Sequence, residues 1–281
     1  MHPRSASRST ASRAALVDRI GALPDGVLQH ILSLLPAHEA VQTCVLAQCW
    51  RDLWRSAPGI HFAGVNGWHS ADRLDGFVDR LLRLRQESAA PLDSCCFEVD
   101  SCPPPPPFNI RTLPSKWVSC ALRCNVRVFQ FFATKEDYYC FEFDGAALIS
   151  QHLTRIEFSY LIIWASSVLD LSGCTALVEL KMDTCVIEAG KISSPSVKHL
   201  SMTFCEFGGL GPTGHNELSF PGVHSLELIQ CAGRTPLLES MPSLQTANVS
   251  FGEESEDQCW YGGPDTIEVG EGAVLSLLGI G

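Results

Sequence analysis

Thirteen cysteines and nine histidines are the residues of this chain best equipped for chemistry, and their spacing argues against most of it. No C-x-x-C pair occurs, and Cys120 and Cys124 alone do not supply the four ligands of a structural zinc. A hydrolase or transferase needs a nucleophile, a base and an orienting group brought together. No G-x-S-x-G, H-E-x-x-H or cysteine-protease signature is present to suggest one. Gly209-x-Gly211-x-x-Gly214 has the spacing of a dinucleotide fingerprint, but Pro212, His215 and Asn216 stand where a helix should begin. A flexible loop is expected there. The expectation is therefore a chain without catalytic, cofactor-binding or metal-ligating residues. An enzyme with a thiol nucleophile is the alternative, and it requires one hyper-reactive cysteine at neutral pH. The odd cysteine count and the lack of an apolar signal segment fit reduced thiols in the cytoplasm or nucleus.

The elements that position these cysteines recur. L-T-R-I-E-F (153–158), L-V-E-L-K-M (177–182), V-K-H-L-S-M (197–202), V-H-S-L-E-L (223–228) and L-Q-T-A-N-V (244–249) each place apolar residues at positions 1, 4 and 6. Their last positions are 24, 20, 26 and 21 residues apart, and Cys185, Cys205 and Cys231 each follow three residues after one of them. This is the leucine-rich-repeat pattern, in which alternate strand residues point inward and a small buriable residue sits where the chain turns away. V-R-V-F-Q-F (126–131) is a weaker unit before these, and F-E-V (97–99) precedes it. Pro103 to Pro107 should form a polyproline II loop between early repeats, since no basic residue flanks it as an SH3-type ligand would require.

Ahead of the repeats lie two crowded helices. Leu28, Ile31, Leu32 and Leu35 fall at i, i+3, i+4 and i+7, with Pro24 and Asp25 suited to the first turn and Pro36 as a stop. A second helix is predicted with Val41, Val45, Leu46, Trp50, Leu53 and Trp54 on its inner side. A unit of about forty residues cannot bury so much apolar surface alone, which points to a protein partner. After a connector to about Ser70, a third helix over 70–88 should bury Leu74, Phe77, Val78, Leu81 and Leu82.

Charge separates the two parts. Residues 1–91 carry ten Arg against eight acids, whereas residues 92–281 carry ten basic and 23 acidic residues. Such a field disfavours nucleic acid and suits either simple solubility or a basic partner. No apolar run is long enough to span a membrane. The Arg- and Ser-rich opening, MHPRSASRSTASR, has the composition of a transit peptide and equally of a disordered tail.

D-R-I-x-x-L-P-D-x-V-L-x-x-I-L-S-L-L-P, followed by A-V-Q-T-C-V-L-A-Q-C-W-R-D-L-W, resembles the F-box of plant F-box/leucine-rich-repeat proteins. P-S-K-W-V-S-C-A-L (114–122) and the irregular repeats resemble the same family, whose members often carry an FBD region. The resemblance covers roughly residues 16–275. It implies a small all-α F-box (16–60) after a tail (1–15), a connector and linking helix (61–90), and an irregular α/β leucine-rich-repeat solenoid (91–281). Members with an FBD region continue beyond the point matching Gly281, so a truncated C-terminus is expected.

The family implies a non-catalytic substrate-recognition subunit of a Skp–cullin–F-box ubiquitin ligase. The alternative is a repeat scaffold outside any ligase, because Ala47-Gln48-Cys49 replaces the family's hydroxyl and two cations. Adaptor contact is expected from Leu23, Pro24, Leu28, Ile31, Leu32, Leu35, Val45, Leu46, Trp50, Leu53 and Trp54. Target contact is expected from Gly208, His215, Asn216, Glu253, Glu254 and Asp257, acid hinting at a basic target.

Overall fold

The computed structural model describes residues 20–46, 48–63, 71–99, 112–133, 141–144, 148–164, 168–208 and 214–255. The expected tail, the proline run, Ala47 and Asp257 lie outside them.

Helix α1 (Asp25–Ser33) follows Pro24 and has Asp25 in its first turn. The missing proline N–H and the acid at the positive dipole end both favour a start there. Leu28 and Leu32 are buried on its inner face. Helix α2 (Ala37–Gln42) is only six residues long. At its end the Thr43 hydroxyl donates to the Ala40 carbonyl at 2.7 Å, a side-chain bond that competes with the helix. The chain then proceeds through tight 3-10 turns at Thr43–Val45, Gln48–Trp50 and Leu53–Ser56. The long second helix expected from the sequence is therefore replaced by short turns. Trp50, Leu53 and Trp54 still face inward, but Val45 and Leu46 do not.

The expected connector also holds a strand, β1 (Gly59–Ala63). A Cβ at Gly59 would stand 2.8 Å from Ser94 Oγ, so glycine permits the close approach of the next strand. Helix α3 (Ala71–Ser88) buries Leu74, Val78, Leu81 and Leu82, as its periodicity predicts. Strand β2 (Ser94–Val99), helix α4 (Leu113–Leu122) and strand β3 (Val128–Ala133) complete a βαβαβ unit with parallel strands.

From β3 onward the chain repeats a three-strand path. The strands are β4 (Glu142–Phe143), β5 (Arg155–Ser159), β6 (Ile162–Ile163), β7 (Val168–Asp170), β8 (Glu179–Asp183), β9 (Val186–Ile187) and β10 (Lys191–Ser193). They continue as β11 (His199–Thr203), β12 (Glu206–Phe207), β13 (Glu217–Ser219), β14 (Ser225–Gly233), β15 (Leu237–Leu238) and β16 (Thr246–Ser255). All pairings are parallel. One ladder runs β1-β2-β3-β5-β8-β11-β14-β16, a second β4-β6-β9-β12, and a third β7-β10-β13-β15. The long strand β14 pairs with both β11 and β12, joining the first two ladders into one sheet.

Register follows the apolar pattern. Phe129, Ile156, Leu180, Leu200 and Leu226 are direct cross-strand partners, as are Phe131, Phe158, Met182, Met202 and Leu228. All ten are buried, each contributing about 1.5–3 kcal/mol. The same rows extend backwards through Cys95 and Phe97 to Ile60 and Phe62. The early unit thus begins at Leu92 instead of Phe97, and the end of the N-terminal helical region supplies a further unit. Between Arg155 and Ser255 the described residues contain no helix. Among the described residues, the helical part of the expected irregular α/β solenoid is confined to α3 and α4 at its start.

Aromatic packing consolidates the helix-backed end. Phe97 stacks on Phe62 at 4.5 Å and on Trp117 at 4.7 Å between ring centroids. The Trp117 indole N–H donates to Asp75 at 3.1 Å, tying α4 to α3. A buried guanidinium joins the first helices to this body. Arg85 donates to the Trp54 carbonyl at 3.3 Å and the Pro91 carbonyl at 2.7 Å, with burial lowering its pKa. Ser88 adds a bond to the Arg55 carbonyl at 2.9 Å.

Candidate functional site

The N-terminal region divides its apolar residues between two destinations. Leu28, Leu32, Trp50, Leu53 and Trp54 are buried within the chain, so they hold its elements together and are not available as a surface. Leu35 is half-buried. Leu23, Pro24 and Ile31 are exposed, and so are Val45 (83 %), Leu46 (70 %) and Leu34 (69 %). The sequence reading missed Val27 and Leu34, which join Ile31 at i, i+4, i+7 on the outer face of α1. That spacing was as visible as the inner one; helical periodicity cannot say which of two apolar faces is covered. The 3-10 turns present Val45 and Leu46, so the loss of the long second helix is what puts them outside. Contiguous exposed apolar residues mark an interaction surface.

The outward side of the first ladder is polar. The Arg155 guanidinium pairs with Glu157 and lies 3.2 Å from Glu179, and the Lys181 ammonium lies 2.9 Å from Glu179. Gln130 donates to Glu157, Ser201 donates to Glu227 at 3.0 Å, and His61 lies 3.0 Å from Glu98. This face is largely self-neutralised along its centre.

The expected target residues scatter. Asn216 is fully buried, donating to the Ile187 and Ala189 carbonyls at 3.1 and 2.7 Å. It is a structural residue that satisfies two backbone acceptors and is removed from the candidate surface. His215 is half-buried against the Thr235 carbonyl at 3.0 Å. Gly208 is exposed at the end of β12, and Glu253 and Glu254 lie on β16.

The cysteine ladder serves the backbone. Cys185, Cys205 and Cys231 donate to the carbonyls of Phe158, Met182 and Met202 at 3.5, 3.5 and 3.6 Å. Each thiol thus reaches the last apolar position of the preceding repeat. Burial pushes Cys231 up to about 12, and Cys205 rises through its contact with Cys185 and burial. Cys124 and Cys174 are raised to about 11, again by burial. A raised thiol is a poor nucleophile, which makes these four structural groups before reactive ones. Among the described residues no group of His, Cys, Asp and Glu could hold a metal ion, and no helix is long and apolar enough to cross a membrane.

The exposed apolar residues Leu23, Val27, Ile31, Leu34, Val45 and Leu46 all lie in the F-box-like segment. Residues 20–61 match the F-box domain family, a class of module that binds Skp-type adaptors. The chain is 30 % identical to a putative FBD-associated F-box protein of Arabidopsis thaliana, over 60 % of this chain and 39 % of the relative. It is 27 % identical to the meiotic F-box protein MOF of Oryza sativa subsp. japonica, over 75 % and 46 % respectively. An F-box/FBD/LRR-repeat protein of Arabidopsis thaliana is 24 % identical over 83 % of this chain and 60 % of its own length. The chain thus carries an F-box at residues 20–61 and is similar to plant F-box proteins over much of its length. It spans about two fifths to three fifths of the length of these relatives. No solved structure matches it.

Proposed function

We propose that this chain is a substrate-recognition subunit of a Skp–cullin–F-box ubiquitin ligase, active in cytoplasm or nucleus. The F-box docks a Skp-type adaptor, and the strands that follow act as a leucine-rich-repeat solenoid that holds the target protein. The observation that carries this reading is the exposed apolar set Leu23, Val27, Ile31, Leu34, Val45 and Leu46 within the F-box match. Among the described residues no packing accounts for it. The parallel rows at 20–27-residue spacing support the repeat half, as does the F-box/LRR naming of relatives. The chain itself performs no chemistry; it raises the effective concentration of a target lysine near a ubiquitin-loaded enzyme.

Co-purification with a Skp-type adaptor tests the reading. The unmutated chain should co-elute with the adaptor. Val45→Asp should weaken capture by at least about tenfold, in line with a hot-spot loss of about 2 kcal/mol, without shifting the thermal midpoint. A folded, unmutated chain that captures no such adaptor overturns the ligase reading and leaves the scaffold alternative.

A further inference from the structure

At the corner where the first ladder turns into the second, two large rings, Phe204 and Trp164, stand outside the core. Tyr160, Thr184, Phe204 and Gln230 occupy equivalent places and all have positive φ, between 50° and 58°. Adjacent corners are hydrogen-bonded: the Tyr160 N–H donates to the Asp183 carbonyl, that of Thr184 to Thr203, and that of Phe204 to Ile229. Glycine would adopt this conformation at lower cost than a side chain with a Cβ. Phe204 nevertheless stands there with 58 % of its surface exposed, so burial does not offset the strain. Trp164, at the end of the same turn from Tyr160, is 46 % exposed.

Acids are interleaved with these rings. Asp183, Glu188 and Glu206 belong to the two neighbouring corners, and among the described residues none of them lies within ion-pair distance of a cation. This differs from the flat face a few residues away, where Arg155 and Lys181 already neutralise Glu157 and Glu179. Exposed ring faces beside unpaired carboxylates attract a cation twice over, through the ring quadrupole and through direct charge. A guanidinium meets both better than an ammonium, because it is planar, stacks and forks toward a carboxylate.

We propose that this corner, built from Trp164, Phe204, Asp183, Glu188 and Glu206, holds an arginine-bearing segment of the target protein. The inference rests on the reading of the chain as a target-holding subunit, and it names the chemistry of what is held.

The test uses the full chain, purified by itself, and a fluorescein-labelled Gly/Ser peptide carrying several arginines, alongside lysine and citrulline versions. Anisotropy should report saturable binding of the arginine peptide, about tenfold weaker binding of the lysine peptide, and none of the citrulline peptide. Phe204→Gly should weaken binding about tenfold while leaving the thermal midpoint unchanged or raised, an effect that a purely structural phenylalanine would not produce. Glu206→Gln should reduce the salt dependence of binding. Equal binding of the citrulline peptide, no binding by the unmutated chain, or indifference to both substitutions overturns the proposal. Adaptor capture by the same preparation is read separately. Capture without peptide binding overturns the corner alone, and peptide binding without capture overturns the ligase reading alone.

Discussion

The F-box region and the repeats are built from the same apolar residue types, yet they use them in opposite ways. In the repeats, Ile156, Leu180, Leu200 and Leu226 each meet an equivalent residue in the next strand, and all are buried. In the F-box region, Val45 and Leu46 have no equivalent neighbour and remain outside. A repeated unit supplies its own covering surface, because each copy is packed by the next. A small single unit has no such supply, and its surplus apolar surface stays exposed.

Substitutions can break this contrast. Phe131→Ala should destabilise the chain by about 3–5 kcal/mol, read as a lower urea midpoint, because it opens a cavity between fully packed strands. Leu34→Ala should change stability by no more than about 0.5 kcal/mol while weakening adaptor capture. If both shift the midpoint equally, the two regions do not differ as described. Trp50→Ala sharpens the comparison: Trp50 is buried, so its loss should lower the thermal midpoint along with capture.

The seam between the regions is the next target. Arg85→Ala leaves the Trp54 and Pro91 carbonyls without their buried donor and should cost about 1–3 kcal/mol. A chemical unfolding curve should also broaden, as the F-box region becomes free to open before the repeats. An unchanged, sharp transition would show that Arg85 does not couple them.

The last effect is confined to alkaline pH. Thiols such as Cys231 and Cys174 have folded pKa values raised to about 12 and about 11, above the ordinary value of 9.0. Protons are therefore held more tightly by the folded chain. The stabilisation is fully present below pH 9.0 and is lost as pH climbs toward the folded values. Melts should be flat with pH near neutrality and fall above about pH 9, by up to about 1.4 kcal/mol per pH unit for each such thiol. Cys231→Ala should make that slope shallower; an unchanged slope would mean the ladder thiols do not set it.

What was legible in the sequence follows the same division. Positions 1, 4 and 6 of the repeats could be read directly, because a period-two strand with one covered face leaves few choices of register. Helix α3 was legible for the corresponding reason at helical period. The course of the chain after Gln42 was not, since one threonine hydroxyl at Ala40 O diverts a segment whose apolar spacing still suits a helix. Strand β1 was hidden because Gly59 and His61 look like linker residues, while Ile60 and Phe62 only gain meaning once paired with Cys95 and Phe97. Asn216 looked like a loop residue offered to solvent, and only the carbonyls of Ile187 and Ala189 reveal why it is buried.

Strand β1 has one more consequence. It begins inside the F-box match and is also the first rung of the ladder that reaches β16. With strands about 4.8 Å apart, the seven steps between those two rungs span roughly 34 Å without an intervening swivel. Under the proposed function each rung is a fixed offset from the docking end, so that a target gripped one rung further along would present its lysines about 4.8 Å farther away.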